Sequence, residues 1–103
     1  MRVEWSERAS TRIEEIYEYL KAEAGKRTAR KIVDKIYSRV DILAQNPQAG
    51  QREELLQGRD EEFRYLVQGN YKIIYWIETD RITISTLFDC RQNPEKMQEE
   101  AER

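Results

Sequence analysis

The sequence predicts an α+β domain, ordered β-α-α-β-β-β, with a helical hairpin packed on a small antiparallel sheet. Three observations predict it. Apolar residues recur at spacings of three and four through the first 45 positions, as one face of a helix requires. Beyond Glu62 the period changes to two, as a strand requires. Turn-forming residues, Gly25, Asn46-Pro47, Gly69-Asn70 and Thr79-Asp80, separate the segments.

Each element follows from its residues. Val3 and Trp5 alternate with Arg2 and Glu4 in a short first strand, and Ser6 is placed to cap the helix that follows. Ala9, Ile13, Ile16, Tyr17, Leu20 and Ala24 form one stripe, so a helix is expected over residues 7–24, ended by Gly25. Ala29, Ile32, Val33, Ile36, Val40 and Leu43 repeat the pattern up to Asn46-Pro47, where the proline disfavours helix. Residues 48–60 are polar, hold Gly50 and Gly58, and are expected to be a loop with one apolar pair, Leu55-Leu56. Phe63, Tyr65 and Val67 alternate with Arg64, Leu66 and Gln68 in a strand, and Gly69-Asn70 signals a two-residue hairpin. The run from Tyr71 to Ile77 is that of a central strand buried on both faces. The last strand, Ile82 to Phe88, is expected to place Ile82, Ile84, Thr86 and Phe88 on one face. Pro94 is placed to begin a short helix, before a charged tail at 96–103; the domain proper spans residues 1–95.

Composition narrows the chemistry. At 103 residues there is room for one core, and no apolar run approaches the length of a bilayer span or a signal peptide, so a cytoplasmic protein is expected. The single cysteine, Cys90, cannot form an internal disulfide and is expected to be a small buried or half-buried side chain. The chain has no histidine, which removes Ser-His and Cys-His nucleophile pairs and histidine zinc sites. Its four glycines are dispersed, so no phosphate loop is present. Neither metal nor cofactor is expected.

The net charge of −2 is unevenly spread. Residues 1–50 carry ten Lys/Arg against eight Asp/Glu, and residues 51–103 carry eight against twelve. Lys26, Arg27, Arg30, Lys31, Lys35 and Arg39 make a basic stretch interrupted by Asp34. Such a stretch is either a solvated helix face or a docking surface, and Arg27, Arg30, Lys31 and Lys35 are the candidate partner-binding residues.

The segments together resemble the RelE/ParE toxin superfamily over nearly the whole chain. The resemblance is carried by Trp5-Ser6, by Ile16-Tyr17 with Tyr19-Leu20, and by Pro47 with Gly50. Phe63-Arg64-Tyr65-Leu66-Val67, Gly69-Asn70-Tyr71-Lys72-Ile73-Ile74-Tyr75 and Phe88-Asp89-Cys90-Arg91-Gln92-Asn93-Pro94 complete it. It implies a toxin that arrests bacterial growth, is neutralised by a cognate antitoxin and oligomerises through that antitoxin. Two activities occur in the superfamily: RelE-like members cut mRNA on the ribosome without metal, and ParE-like members poison DNA gyrase.

The resemblance places Arg64 and Arg91 where RelE-like nucleases carry functional arginines, able to grip a phosphate in two-point contact. Tyr71, Lys72 and Glu62 are the weaker catalytic candidates, because no Tyr or His follows Tyr75 where such nucleases carry their acid or base. The alternative for both arginines is structural: Arg64 bonding Asp89 or Glu62, and Arg91 an acidic residue of the loop after the second helix. The missing acid–base residues and the slightly negative charge favour the gyrase-directed reading, with the ribosome-dependent endoribonuclease as its alternative.

Overall fold

The computed structural model describes residues 1–56, 58 and 61–91; the expected helix at Pro94 and the charged tail lie outside them. The elements are β1 (Arg2–Trp5), α1 (Glu7–Ala24), α2 (Lys26–Asp41), β2 (Gln51–Arg52), β3 (Phe63–Gln68), β4 (Tyr71–Ile77) and β5 (Arg81–Asp89). One 3-10 turn, Ile42–Ala44, extends α2, and a second, Glu54–Leu56, follows β2. The sheet runs β1-β5-β4-β3-β2, antiparallel throughout except that β1 lies parallel to β5. The expected α+β architecture is thus present, with two helices on one face of a five-stranded sheet. The segment 48–60 is not all loop: β2 is a two-residue edge strand, too short to show a period of two in the sequence.

The helices form where their stripes predict. Ser6 caps α1, its hydroxyl accepting from the Ala9 amide at 3.0 Å. Gly25 ends α1 at φ 91°, where a side chain would be strained, and α2 starts at the next residue. Ala9, Ile13 and Ile16 of α1 and Ile36 and Val40 of α2 bury against Leu66, Ile73, Tyr75, Ile82, Ile84 and Leu87 of the sheet. Trp5 packs beneath the hairpin with its ring centroid 5.1 Å from that of Tyr37. A smaller core fills the other face, where Leu56 from the second 3-10 turn covers Phe63, Ile74, Trp76 and Phe88. Phe63 and Trp76 meet edge to face at 5.7 Å.

A β-bulge changes the expected faces of β5. Ile74 pairs with Thr86 while Tyr75 pairs with Ile84, which leaves Ser85 as the extra residue. Ile82, Ile84 and Leu87 therefore face the helices, and Phe88 joins the opposite core. The strict alternation expected from Ile82 through Phe88 fails at this one inserted residue. Ser6 reads the bulge directly: its hydroxyl donates to the Ser85 carbonyl at 2.8 Å, and its amide donates to the Ile84 carbonyl at 3.0 Å. Cys90, expected to be at least half-buried, is exposed, because the chain has left the sheet and is turning there.

Ser6 thus joins the start of α1 to the bulge. Ser6→Ala is expected to destabilise the fold by about 1–2 kcal/mol, the cost of a lost cap, with Ser6→Thr retaining most of the stability. Urea unfolding midpoints of the three proteins measure this directly.

Candidate functional site

The residues singled out in the sequence fall into three separate clusters and one helix face. The first is built around Tyr75, a fully buried side chain on the central strand. Its hydroxyl donates to the Pro47 carbonyl at 2.9 Å and accepts from the Gly50 amide at 2.9 Å. Burial raises the phenol's pKa, against the opposing pull of the Gly50 hydrogen bond and the Arg64 charge, so the group stays a neutral donor. Arg64 is the cross-strand neighbour of Tyr75 and donates from Nη1 to the Gly50 carbonyl at 2.8 Å. Its Nη2 lies 3.5 Å from Glu62, which also pairs with Arg52 at 2.8 Å. The Arg64 side chain is only 16% exposed. Gly50 closes the cluster: a Cβ there would lie 2.6 Å from both the Tyr65 carbonyl oxygen and the Tyr75 hydroxyl. Of the two structural partners considered for Arg64, the geometry selects Glu62.

The second cluster is on the opposite face. Lys72 reaches the Glu53 carboxylate at 2.8 Å and stands 4.3 Å from the centre of the Tyr65 ring. Glu53 is almost fully buried, and its second oxygen accepts from the Leu55 amide at 3.2 Å. Its backbone amide donates to the Phe63 carbonyl, so it anchors the segment that carries Leu56 over the smaller core. Nothing in the sequence marks this role, because Glu53 stands among several acidic residues in a polar stretch.

Tyr71 and Arg91 belong to the third cluster, at the far end of β4. Asp89 pairs with Tyr71 across the sheet, and Arg91 turns back to grip Asp89 in a fork, Nε to Oδ1 at 2.9 Å and Nη2 to Oδ2 at 2.7 Å. The Arg91 hydrogen bond holds the Asp89 carboxyl below its ordinary range, and Asp89 in turn raises the pKa of Arg91. Burial, then the Asp89 charge, pushes the Tyr71 phenol up. Arg12 of α1 adds its Nε to the Leu87 carbonyl nearby, at 3.3 Å. Arg91 therefore pairs with Asp89, and not with the loop after α2 as the structural alternative held.

Arg64 and Arg91 do not meet. Arg64 sits opposite Tyr75, whereas Asp89, which holds Arg91, sits opposite Tyr71. Four residues of extended strand separate these positions, or roughly 13 Å. Lys72 points from the face opposite Tyr71 and Arg64, and Glu62 is shared between two arginines. The five catalytic candidates are thus divided between the two ends of β4 and the two faces of the sheet.

Two shallow concavities mark the helical hairpin. Ile13, Glu14, Tyr17 and Glu18 of α1 with Val33 and Tyr37 of α2 line a groove of about 340 Å³. Arg27, Arg30, Lys31, Asp34, Lys35 and Ser38 line another of about 400 Å³ along α2 alone. Among the described residues, no group of three or more His, Cys, Asp or Glu side chains is placed to hold a metal ion, and no helix is long and apolar enough to cross a membrane.

Two measurements probe these clusters. Tyr75→Phe is expected to cost about 1–3 kcal/mol in urea unfolding, because it leaves the buried Gly50 amide without its acceptor. Gly50→Ala is expected to cost more, since its Cβ meets backbone as well as the phenol. The Asp89 carboxyl has a folded-state pKa below its ordinary 3.8, so its pair with Arg91 stabilises the fold above that pH. The contribution is lost as pH falls through the folded value. Asp89→Asn is expected to flatten this part of the acid limb in unfolding midpoints measured from neutral to acid pH, by a small amount because Arg91 is over half exposed.

Comparison with known proteins bears on the whole chain. Residues 3–94 match the family described as the ParE toxin of type II toxin-antitoxin system, parDE. A solved structure described as "Chromosomal ParDE TA system from P. aeruginosa" superposes with a TM-score of 0.76 at 22% identity, covering 86% of this chain and 95% of that one. That similarity is one of fold. No curated protein sequence matches. With a family match that runs from β1 past the end of β5, the chain belongs to the ParE toxins of type II toxin–antitoxin systems.

Proposed function

We propose that this ParE-family toxin arrests growth by inhibiting DNA gyrase, as a binding protein and not as a nuclease, and that a cognate antitoxin neutralises it. The observation that carries the reading is the separation of Arg64 from Arg91. One is spent inside the protein on the Gly50 carbonyl, the other is held by Asp89, and roughly 13 Å of strand lies between their positions. Cleavage of RNA needs a base, an acid and a phosphorane-stabilising cation converging within hydrogen-bond reach of one phosphate. The described residues offer pairs already satisfied within the fold. Inhibition of a large enzyme needs only a surface.

The antitoxin has a suitable seat in the groove between the helices. Ile13, Tyr17, Val33 and Tyr37 give an apolar floor, and Tyr37 is 43% exposed. An amphipathic segment laid there would bury this floor and fold as it binds. Oligomerisation through the antitoxin and a cytoplasmic location accord with the same reading.

Expression of the chain without antitoxin tests it. The expected outcome is growth arrest with intact mRNA, an induced DNA-damage response and gyrase-linked DNA breaks. New in-frame mRNA 5′ ends that vanish with Arg91→Ala would instead establish the ribosome-dependent nuclease. Arg91 suits this test because it is exposed and its removal leaves the core untouched. Arg64→Ala does not, because it also releases the Gly50 loop.

A further inference from the structure

We propose that the outer face of α2 docks on the phosphate backbone of duplex DNA. Arg27, Arg30, Lys31 and Lys35 are exposed and share one concave face with Asp34 and Ser38. Among the described residues, none of the four cations holds an ion pair or a side-chain hydrogen bond, and Asp34 does not neutralise them. Among the described residues elsewhere, Arg2, Arg12, Arg52, Arg64, Lys72, Arg81 and Arg91 each pair with a carboxylate. Among the described residues, every cation without a pair except Lys21 lies on this helix.

Charge and lining chemistry select the partner. From Arg27 to Lys35 the helix rises about 12 Å, with the four cations about 4.5, 1.5 and 6 Å apart along it. A strand of duplex DNA presents a continuous row of negative charge over that length. The sequence alone allowed an acidic protein segment on this surface. A protein interface of useful strength is centred on apolar or aromatic anchors, and no residue lining this face is apolar. Binding to the phosphate backbone needs only charge and donors. Single strands are held by stacking on aromatic rings, which the face also lacks. A B-form duplex is favoured over duplex RNA, because a helix fits its wide major-groove side whereas the A-form groove is too narrow. Glu14 and Glu18 of α1 line the neighbouring groove and repel a polyanion, which confines docking to α2.

The test is fluorescence anisotropy of a labelled duplex of about 20 base pairs, of arbitrary sequence, titrated with the purified chain. Four phosphate contacts predict sequence-independent binding whose affinity falls about 150-fold between 50 and 200 mM salt, a log–log slope near −3.6. Each of Arg27→Ala, Arg30→Ala, Lys31→Ala and Lys35→Ala should reduce that slope by about 1, with the thermal midpoint unchanged because all four side chains are exposed. Glu14→Gln should leave binding intact or tighten it. The proposal is overturned by absence of binding at low salt, or by binding that survives the Arg30→Ala, Lys31→Ala, Lys35→Ala triple variant. It is equally overturned if single-stranded DNA or duplex RNA binds more tightly, or if a poly-glutamate peptide binds more tightly than the duplex and displaces it. None of these outcomes depends on whether gyrase is the target, so this proposal and the functional reading can fail separately.

Discussion

After α2 the chain must cross from the helix layer to the edge of the sheet furthest from β1, and the buried hydroxyl of Tyr75 is what fixes the crossing. It takes one bond from the Gly50 amide and gives one to the Pro47 carbonyl, so both ends of a four-residue turn rest on the central strand. β2 begins at the next residue and pairs with β3 at Tyr65 and Arg64. Arg64 then holds the Gly50 carbonyl from the side. A buried polar group is costly unless satisfied, and here the Tyr75 hydroxyl, the Gly50 amide and carbonyl, the Pro47 carbonyl and Arg64 Nη1 satisfy one another, while Arg64 Nε has no partner. The same closeness demands glycine at position 50, because backbone and phenol already occupy the space a Cβ would need.

Once β2 is fixed, the opposite face of the sheet can be closed. Glu53 follows β2 and enters the protein with Lys72, whose ammonium is shared with the Tyr65 ring. A buried carboxylate alone would be strongly unfavourable; the ion pair and the Leu55 amide compensate it. That anchor brings Leu56 down over Phe63, Ile74, Trp76 and Phe88. The bulge at Ser85 serves the same end, since it turns Phe88 toward this core while leaving Leu87 with the helices. The central strand is therefore buried on both faces, as its nearly continuous apolar run requires.

The parts legible in the sequence were those written in periodicity. The stripes from Ala9 to Leu20 and from Ala29 to Leu43 mark α1 and α2, Ser6 marks a cap, and Gly69-Asn70 marks the hairpin between β3 and β4. What was not legible depends on contacts between distant positions. The bulge is one extra residue in an apolar strand, and nothing near Ser85 distinguishes it locally; its partner Ser6 lies at the other end of the chain. The edge strand β2 has two residues and no pattern. At the candidate site, residue type makes Arg64 and Arg91 candidates to grip a phosphate, but register decides whether two side chains meet. Here it places one opposite Tyr75 and directs the other to Asp89, opposite Tyr71.

The same contrast separates structural charge from available charge. Arg64 is enclosed, committed to a carbonyl and a carboxylate, and its loss would cost the turn at Gly50. Arg27, Arg30, Lys31 and Lys35 hold no ion pair or side-chain hydrogen bond among the described residues, so no such bond within the fold explains their arrangement. Four like charges along about 12 Å of one helix repel each other, a cost that scattering them over other exposed positions would lower. A surface that keeps its positive charge gathered, beside a helix rimmed by Glu14 and Glu18, is polarised across the hairpin. Such polarity orients the molecule toward a polyanion from a distance, with α2 leading and α1 turned away. For a protein whose net charge is −2, the proposed docking on duplex DNA rests on that orientation and not on bulk attraction.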